Sequence, residues 1–335
     1  MNGKKTLVLY SVLSLVLGFL LCWIFIYHIL PSSSKMQINN TGLRLSQKDY
    51  PLISQLLLCN IDGYDYNRDK ILENTVRRFV SDRIYRGLAE NMSVFIINYK
   101  NGQWLGVNEN ERYDPASLLK VPLMIAYFKY VQTNPKILEE STSYEGDDQN
   151  NDEYFKSSDN IKPGRLYSIN ELIKSMIVNS DNTAAILLQN YIDKNFLMNI
   201  FTDLGLPTPS FNLNVEYISA KSYSYFFRIL YNKTYLNKEL SEKALEILVQ
   251  SKNSIIHDGL PQGITVAQKF GERSFYDPNN VLKDRELHDC GIIYKPDSPY
   301  LLCVMSRGKN FDDMKKNIID LSALVYKNIS SDLAN

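Results

Sequence analysis

Two residues of a strongly apolar segment carry side chains that could form and break a covalent bond. Ser117 and Lys120 lie three positions apart in "YDPASLLKVPLMIAYF". This composition predicts a buried helix, with Pro115 in its first turn and Ser117 on the same face as Lys120. Burial favours the neutral amine of a lysine, which can accept the proton of a nearby hydroxyl. The pair therefore predicts a serine nucleophile with a lysine base.

The S-x-x-K spacing is not specific by itself. It also begins at Ser32, in a polar stretch, and at Ser306. Lys120 could instead extend to solvent, with Ser117 as an ordinary residue of the first helical turn. Only the copy at Ser117 lies in an apolar helix, so we take that copy as the candidate.

The tripeptide Ser-Asp-Asn occurs twice. The copy at Ser158 lies among polar and acidic residues before Pro163 and Gly164, which predicts a solvated turn. The copy from Ser180 to Asn182 lies between "INELIKSMIV" and "TAAILLQNYI", which predicts a junction of two helices packed on the core. Polar side chains at such a junction need partners, so they either cap a helix or face a cleft.

A third group lies in "TVAQKFGE", which predicts a strand near the carboxyl end of the chain. Because side chains alternate along a strand, Lys269 and Gly271 point in the same direction. The missing side chain of Gly271 leaves space beside the Lys269 ammonium. This arrangement suits an anionic group such as a carboxylate, although K-x-G alone is a weak signal.

The elements around these groups predict an α+β fold. Residues 67–89 predict an amphipathic helix with Ile71 on its apolar face, and two strand-like runs flank Asn101-Gly102, the dipeptide of a tight type I′ hairpin. The middle of the chain is helical, three strands follow, and a helix from about Asp312 to Ile329 closes the chain. We expect a five-stranded antiparallel sheet flanked by amino- and carboxyl-terminal helices, with an all-helical lobe and a catalytic cleft between the two.

The amino end predicts a membrane anchor. Residues 6–30 contain no Asp, Glu, Lys or Arg and are long enough to cross a hydrocarbon core of about 30 Å. Residues 1–5 include Lys4 and Lys5, so we expect a cytoplasmic tail, with residues 31–66 forming an extracytoplasmic stalk. A cleaved signal peptide is the alternative, but the apolar run is long and no small-residue cleavage site follows it.

Charge, cysteine and histidine content limit the partners, disulfides and metal sites that we expect. The chain has 37 basic and 37 acidic side chains, so no net field favours nucleic acid. An extracytoplasmic setting permits one disulfide among Cys59, Cys290 and Cys303, and the sequence does not choose the pair. Few histidines and no C-x-x-C motif argue against a zinc site.

Taken in order, S-x-x-K, S-D-N and K-x-G resemble the active-site set of the serine β-lactamase and penicillin-binding (D,D-peptidase) superfamily, most like class A β-lactamases. The resemblance covers about residues 91–328, within a catalytic domain that we place at residues 67–331, with its helical lobe at about 117–254. It implies a β-lactam or a cell-wall peptide as the small-molecule partner and no cofactor. The sequence does not indicate the oligomeric state.

The resemblance also implies a role for each residue. Ser117 would be acylated, with Lys120 accepting its proton, and Ser180 would pass a proton to the leaving nitrogen. Asn182 would bind the substrate amide, and Lys269 beside Gly271 would bind the substrate carboxylate. The backbone N–H groups of Ser117 and Glu272 would form the oxyanion hole.

Two departures bear on activity. Phe270 stands where the superfamily has Thr or Ser, which removes a hydroxyl that would contact the substrate carboxylate. Residues 203–223 lack the E-x-x-x-N-like motif that activates the hydrolytic water in class A enzymes. Glu216 is the only glutamate in this segment. We therefore expect slow deacylation, or transfer of the acyl group to an amine as in D,D-peptidases.

Two further functions stay open. One is a non-catalytic module that binds a β-lactam or peptidoglycan. The other is a Ser-His-Asp hydrolase using His288 and Asp289, which is less favoured because no G-x-S-x-G motif occurs and adjacent residues orient each other poorly.

Overall fold

Strands from the two ends of the region after residue 67 form one antiparallel sheet. The computed structural model describes residues 50–54, 68–146, 154–155, 159–209 and 217–329. The strands are β1 (Asn91–Asn98), β2 (Trp104–Val107), β3 (Arg112–Tyr113), β4 (Ser141–Tyr144), β5 (Arg165–Ser168), β6 (Ile218–Ser219), β7 (Val266–Tyr276), β8 (Leu282–Ile293) and β9 (Tyr300–Gly308). The main sheet has five strands in the order β2-β1-β9-β8-β7, which confirms the predicted sheet and makes β7 an edge strand.

Helices cover both faces of this sheet. They are α1 (Lys70–Tyr85), α2 (Lys120–Val131), α3 (Ile169–Val178), α4 (Asn182–Tyr191), α5 (Lys194–Asp203), α6 (Ala220–Tyr231), α7 (Lys238–Val249) and α8 (Phe311–Asn328). Short 3₁₀ turns occur at Ala116–Leu119, Pro135–Glu139 and His257–Gly259. Helices α1 and α8 flank one face, and α2 to α7 form the helical lobe, so the α+β prediction is confirmed.

Two apolar cores follow from the alternation of side chains in the sheet. In β1, Phe95 and Ile97 belong to the core shared with the helical lobe. Val94 and Ile96 belong to the core shared with α1 and α8. Since both faces of the strand are buried, β1 is apolar at almost every position, and this packing fixes the register of the sheet.

The apolar face of α1 differs from the prediction at one residue. Leu72, Val76 and Val80 are buried, whereas Ile71 is 84% exposed. Each residue turns an α-helix by about 100°, so Ile71 lies beside the stripe that Leu72 begins. The helix itself is confirmed, and Asp69 caps it by accepting a hydrogen bond from the Leu72 N–H.

The predicted hairpin around Asn101-Gly102 is present, but its tight type I′ turn is wrong. A type I′ turn needs positive φ at both central residues, and only Gly102 has it, at 72°. The connection is longer, because the Gly102 N–H donates to the Asn98 carbonyl at 2.8 Å. The Asn101 side chain instead bonds to Gln103, which stabilises this wider loop.

Strands β8 and β9 carry the disulfide. Cys290 and Cys303 are directly opposite in the antiparallel register and are joined by a disulfide bond. This selects one of the pairs that the sequence left open. Cys59 lies outside the described residues.

The predicted anchor at residues 6–30 and most of the stalk also lie outside the described residues. None of the helices in the described ranges has the length and apolarity needed to cross a membrane. Residues 50–54 pack on the helical lobe, where the Glu242 carboxylate accepts the N–H groups of Leu52 and Ile53 at 2.9 Å each.

Candidate active site

Lys120 is buried at the start of α2, as the apolar segment predicts, with 5% of its surface exposed. It does not extend to solvent. Its ammonium donates to Asn182 Oδ1 at 2.7 Å, to Ser180 Oγ at 3.1 Å and to the Ser180 carbonyl. These partners come from the α3–α4 junction, so the helical lobe itself provides the acceptors that a buried cation requires.

Ser117 lies in a 3₁₀ turn rather than in the helix that the sequence predicts. The turn Ala116–Leu119 leads into α2 at Lys120. Residues three apart are eclipsed in a 3₁₀ helix, so Ser117 and Lys120 still share a face. Both line the same cleft, and the Ser117 hydroxyl makes no hydrogen bond to any described residue.

The Ser180 hydroxyl lies between two lysines. Its Oγ accepts from Lys120 at 3.1 Å and from Lys269 at 2.9 Å. A hydroxyl has two acceptor lone pairs and one donor, so the two cations occupy the lone pairs. The O–H of Ser180 is thereby directed away from both lysines, and Ser180 also lines the cleft.

Asp181, between Ser180 and Asn182, explains how three polar residues fit at a buried junction. It caps α4 by accepting from the N–H groups of Thr183 and Ala184 at 2.9 and 3.1 Å. Its second oxygen accepts from the Ile161 N–H and the Ser175 hydroxyl, both at 2.8 Å. The sequence left capping and presentation as alternatives, and both occur, because Asp181 caps while its neighbours face the cleft.

Strained backbone occurs at two residues of the candidate site. Apart from asparagine and aspartate, the described non-glycine residues with positive φ are Ala116, Ser180 and Lys233. Ala116 precedes the candidate nucleophile, and Ser180 is the residue held by both lysines. Such conformations cost about 1 to 3 kcal/mol and persist only where the surrounding contacts impose them.

The turn that carries Ser117 is held by the sheet. The Asp114 carboxylate accepts the Ala116 N–H at 2.8 Å and pairs with Arg273 of β7 at 3.1 Å. A side chain at Gly271 would come within 2.8 Å of the Pro115 carbonyl. The turn therefore takes up the space at Gly271, and the missing side chain allows β7 to approach Ser117. This differs from the sequence-based expectation that the space would accept a ligand next to Lys269.

Two buried side chains, Glu286 and His288, contact the backbone of Asp114. Glu286 accepts the Asp114 N–H at 3.0 Å and pairs with Arg307 at 2.8 Å. His288 Nε2 lies 2.9 Å from the Asp114 carbonyl and donates to it in the tautomer that carries hydrogen on Nε2. His288 is fully buried and does not line the cleft, so the Ser-His-Asp alternative has no geometry for catalysis.

Sequence reasoning missed Asp114, Glu286 and His288 as residues that hold the turn carrying Ser117. Asp114 had a signal, because an aspartate directly before Pro115 is typical of a helix start. Glu286 had none, since its partners come from distant parts of the chain.

The edge strand β7 contributes Lys269 and Phe270. Lys269 is fully buried, donates to the Phe270 carbonyl at 2.9 Å, and lies 4.1 Å from the centroid of the Phe270 ring. Asp289, opposite Phe270 on β8, has its pKa raised to about 7, chiefly by burial. The Ile256 N–H and the positive charge of Lys269 act in the opposite direction.

The cleft has a volume of about 620 Å³, within the range of small-molecule sites. The predicted site residues Ser117, Lys120, Ser180, Asn182 and Glu272 line it. The Glu272 carboxylate accepts the N–H groups of Tyr154 and Phe155, at 3.2 and 2.9 Å, so residues 154–155 reach the cleft.

Two predictions concern residues outside the described ranges. Glu216, the only candidate for a water-activating glutamate, is one of them. Ser158 is the other, although Asp159 of the same tripeptide is exposed and pairs with Lys252. Among the described residues, no cluster of His, Cys, Asp and Glu could hold a metal ion.

Comparison with known proteins matches this architecture. A family model described as the β-lactamase enzyme family matches residues 72–329. No curated protein matches the chain.

Solved structures share the fold at low sequence identity. The structure of PBP-A is similar at a TM-score of 0.65 and 20% identity, covering 78% of this chain and 96% of that one. A mutant of PBP-A in an acyl-enzyme complex with penicillin G gives 0.64 and 19%, covering 78% and 97%. A β-lactamase from Burkholderia vietnamiensis gives 0.62 and 20%, covering 75% and 95%.

Proposed function

Because the chain belongs to the β-lactamase enzyme family, we propose that it is a serine hydrolase that opens the amide bond of a β-lactam through an acyl-enzyme on Ser117. The observation that carries this proposal is the position of the Ser180 hydroxyl, which Lys120 and Lys269 both contact in the cleft that Ser117 lines. Family membership alone supports a hydrolase fold. The contacts of Lys120 and Lys269 with the Ser180 hydroxyl support the acylation chemistry.

Acylation begins with a proton transfer. In this step Lys120 acts as the neutral amine, formed from the ammonium described above by loss of one proton, and the positive charge of Lys269 beside Ser180 favours that form. Its amine accepts the proton of the Ser117 hydroxyl as Oγ attacks the amide carbonyl carbon. The carbonyl oxygen becomes an oxyanion, which the backbone N–H groups of Ser117 and Glu272 stabilise, each by about 3 to 4 kcal/mol.

Collapse of this intermediate breaks the carbon–nitrogen bond. The leaving nitrogen takes the proton of Ser180, whose O–H points away from both lysines. Lys120, now protonated and 3.1 Å from Ser180 Oγ, returns a proton to it. Asn182 binds the substrate amide while its own Oδ1 accepts from Lys120. The acyl group remains as an ester on Ser117, and no proton is gained or lost overall.

Release of the acyl group is the slow step in this proposal. The segment after Asp203 lacks a glutamate motif for activating water, and Glu216 is the only glutamate available in it. The acyl-enzyme then accumulates or transfers its acyl group to an amine. The second candidate function is therefore a penicillin-binding D,D-peptidase or transpeptidase acting on cell-wall peptide, and a non-catalytic binding module is a third.

The test is covalent labelling of the full chain, in detergent, with a fluorescent penicillin. We expect stable labelling of the intact protein, none of Ser117→Ala, and little hydrolysis of a chromogenic cephalosporin. A protein that never labels would fit the non-catalytic module and overturn the acyl-enzyme. Rapid cephalosporin hydrolysis that Glu216→Gln abolishes would overturn slow deacylation only.

We also propose that residues 6–30 anchor the protein in a membrane, with the catalytic domain on the extracytoplasmic side. The proposal is supported by the apolar run and by Lys4 and Lys5 before it. A protease added to intact cells should digest the catalytic domain and leave the amino-terminal tail protected. Recovery of the domain in the medium, without the apolar segment, would instead indicate a cleaved signal peptide.

A further inference from the structure

An aromatic ring covers the cation that would bind a substrate carboxylate. Lys269 Nζ lies 4.1 Å from the centroid of the Phe270 ring and donates to Ser180 Oγ and to the Phe270 carbonyl, each at 2.9 Å. Lys269 is fully buried and does not line the cleft, whereas Phe270 does. A group laid against β7 at this position therefore meets the ring before it meets the ammonium.

A second ring extends this apolar surface. Phe155 lines the cleft, and its ring centroid lies 5.0 Å from that of Phe270 in an edge-to-face arrangement. Its position is fixed from the strand, because the Glu272 carboxylate accepts the backbone N–H of Phe155 at 2.9 Å. Aromatic pairs of this kind bind apolar groups through area and ring contact.

The other cations of the cleft are already paired. Lys120 is bonded to Ser180 and Asn182, and Arg273 pairs with the Asp114 carboxylate at 3.1 Å. The Glu272 carboxylate lies beside the rings, and Lys315 Nζ lies 5.5 Å from the centroid of the Phe155 ring, so charges of both signs are near this surface. A carboxylate entering here would lose water against aromatic surface, which disfavours it.

We propose that the part of the cleft bounded by Phe155 and Phe270 selects acyl donors that carry an uncharged, apolar group there in place of a carboxylate. Lys269 then serves to orient Ser180 rather than to bind substrate. This inference concerns the substrate of the acylation proposed above and rests on it for the rate measurement, but not for the binding measurement described below.

The first experiment compares penicillin G with its methyl ester as acylating agents of the full chain. The measured quantity is the ratio of second-order acylation rate constants, acid over ester. We expect a ratio of about one or below for the intact protein. Phe270→Thr removes the ring and adds a hydroxyl, so the ratio should rise about tenfold or more, the worth of one hydrogen bond to a charged group.

A matched control comes from the same strand. Phe275 lies on β7 but does not line the cleft, so Phe275→Thr should leave the ratio unchanged. Because Phe270 is buried and its replacement could impair folding, Phe155→Ala provides an independent variant. It should slow acylation by the ester more than acylation by the acid.

Binding without chemistry separates the two proposals. Calorimetric titration of the Ser117→Ala protein with the same two compounds measures binding without acylation. We expect the ester to bind at least as tightly as the acid. If the intact protein is not acylated but the ester still binds in this way, the proposed function fails and the inference stands. Acid binding about tenfold tighter than ester binding, failure of both to bind, or no response of the ratio to Phe270→Thr would overturn it.

Discussion

The hydroxyl oxygen of Ser180 lies 2.9 Å from the ammonium nitrogen of Lys269, although the two residues are 89 positions apart in the chain. Ser180 belongs to the helical lobe and Lys269 to the edge strand of the sheet. The contact therefore joins the two halves of the cleft at the atom that would pass a proton to the leaving group. Lys120 contacts the same oxygen from the first turn of α2, so the Ser180 hydroxyl is held by side chains from both α2 and β7.

Replacing Lys120 by methionine tests the general base. Lys120→Met keeps the length of the side chain but removes the amine, so acylation of Ser117 should slow by about 100- to 10,000-fold. The measurement is the rate of labelling by a fluorescent penicillin. Lys129→Met is the control, since Lys129 lies on the same helix and bonds to the Tyr235 carbonyl away from Ser117. A Lys120→Met protein that labels at the normal rate would rule out this role.

Asp181 should contribute to stability more than an ordinary helix cap. Its fully buried carboxylate accepts four hydrogen bonds, so Asp181→Ala should lower the free energy of unfolding by about 2 to 4 kcal/mol. Asp193 caps α5 with a single exposed hydrogen bond, and Asp193→Ala should cost only about 1 kcal/mol. Urea denaturation measures both losses, and equal losses would contradict the structural role of Asp181.

Asp289 should make stability depend on pH. Burial raises the pKa of its carboxyl to about 7, whereas the unfolded chain has about 3.9. Between these values the folded protein holds a proton that the unfolded chain has lost, so stability falls as pH rises through this window, by up to about 1.4 kcal/mol per unit.

Asp289→Asn removes this titration while keeping an oxygen to accept the Ile256 N–H. The stability of the variant relative to the intact protein should therefore increase from about pH 4 to about pH 7 and stay constant above. Denaturation at several pH values gives the difference. A difference that does not change with pH would show that Asp289 has an ordinary pKa.

The disulfide should stabilise the sheet to a limited extent. Cys290 and Cys303 are separated by 13 residues and lie on strands that already pair, so reduction should cost on the order of 1 to 3 kcal/mol. The comparison is thermal denaturation with and without reductant. The double variant Cys290→Ala with Cys303→Ala should show no response to reductant, and a response there would place the effect at another cysteine.

Several predictions succeeded because the signal was local. The apolar segment around Lys120 predicted burial, and the short apolar runs predicted strands, since these signals depend only on residues close together in the chain. The type I′ turn at Asn101-Gly102 failed because the same dipeptide also fits a wider loop, which the side-chain contacts of Asn101 favour. Ile71 failed because a helical stripe has an edge that spacing alone does not define.

The sequence by itself determined the types of residue available for chemistry, their order along the chain and the elements that carry them, because composition and period act over a few residues. Only the tertiary structure decided that Lys120 and Lys269 share the Ser180 hydroxyl, that Gly271 admits the turn bearing Ser117, and that the Phe270 ring covers Lys269. Those relationships join positions that are far apart in the chain, and packing of the lobe against the sheet sets the distances between them.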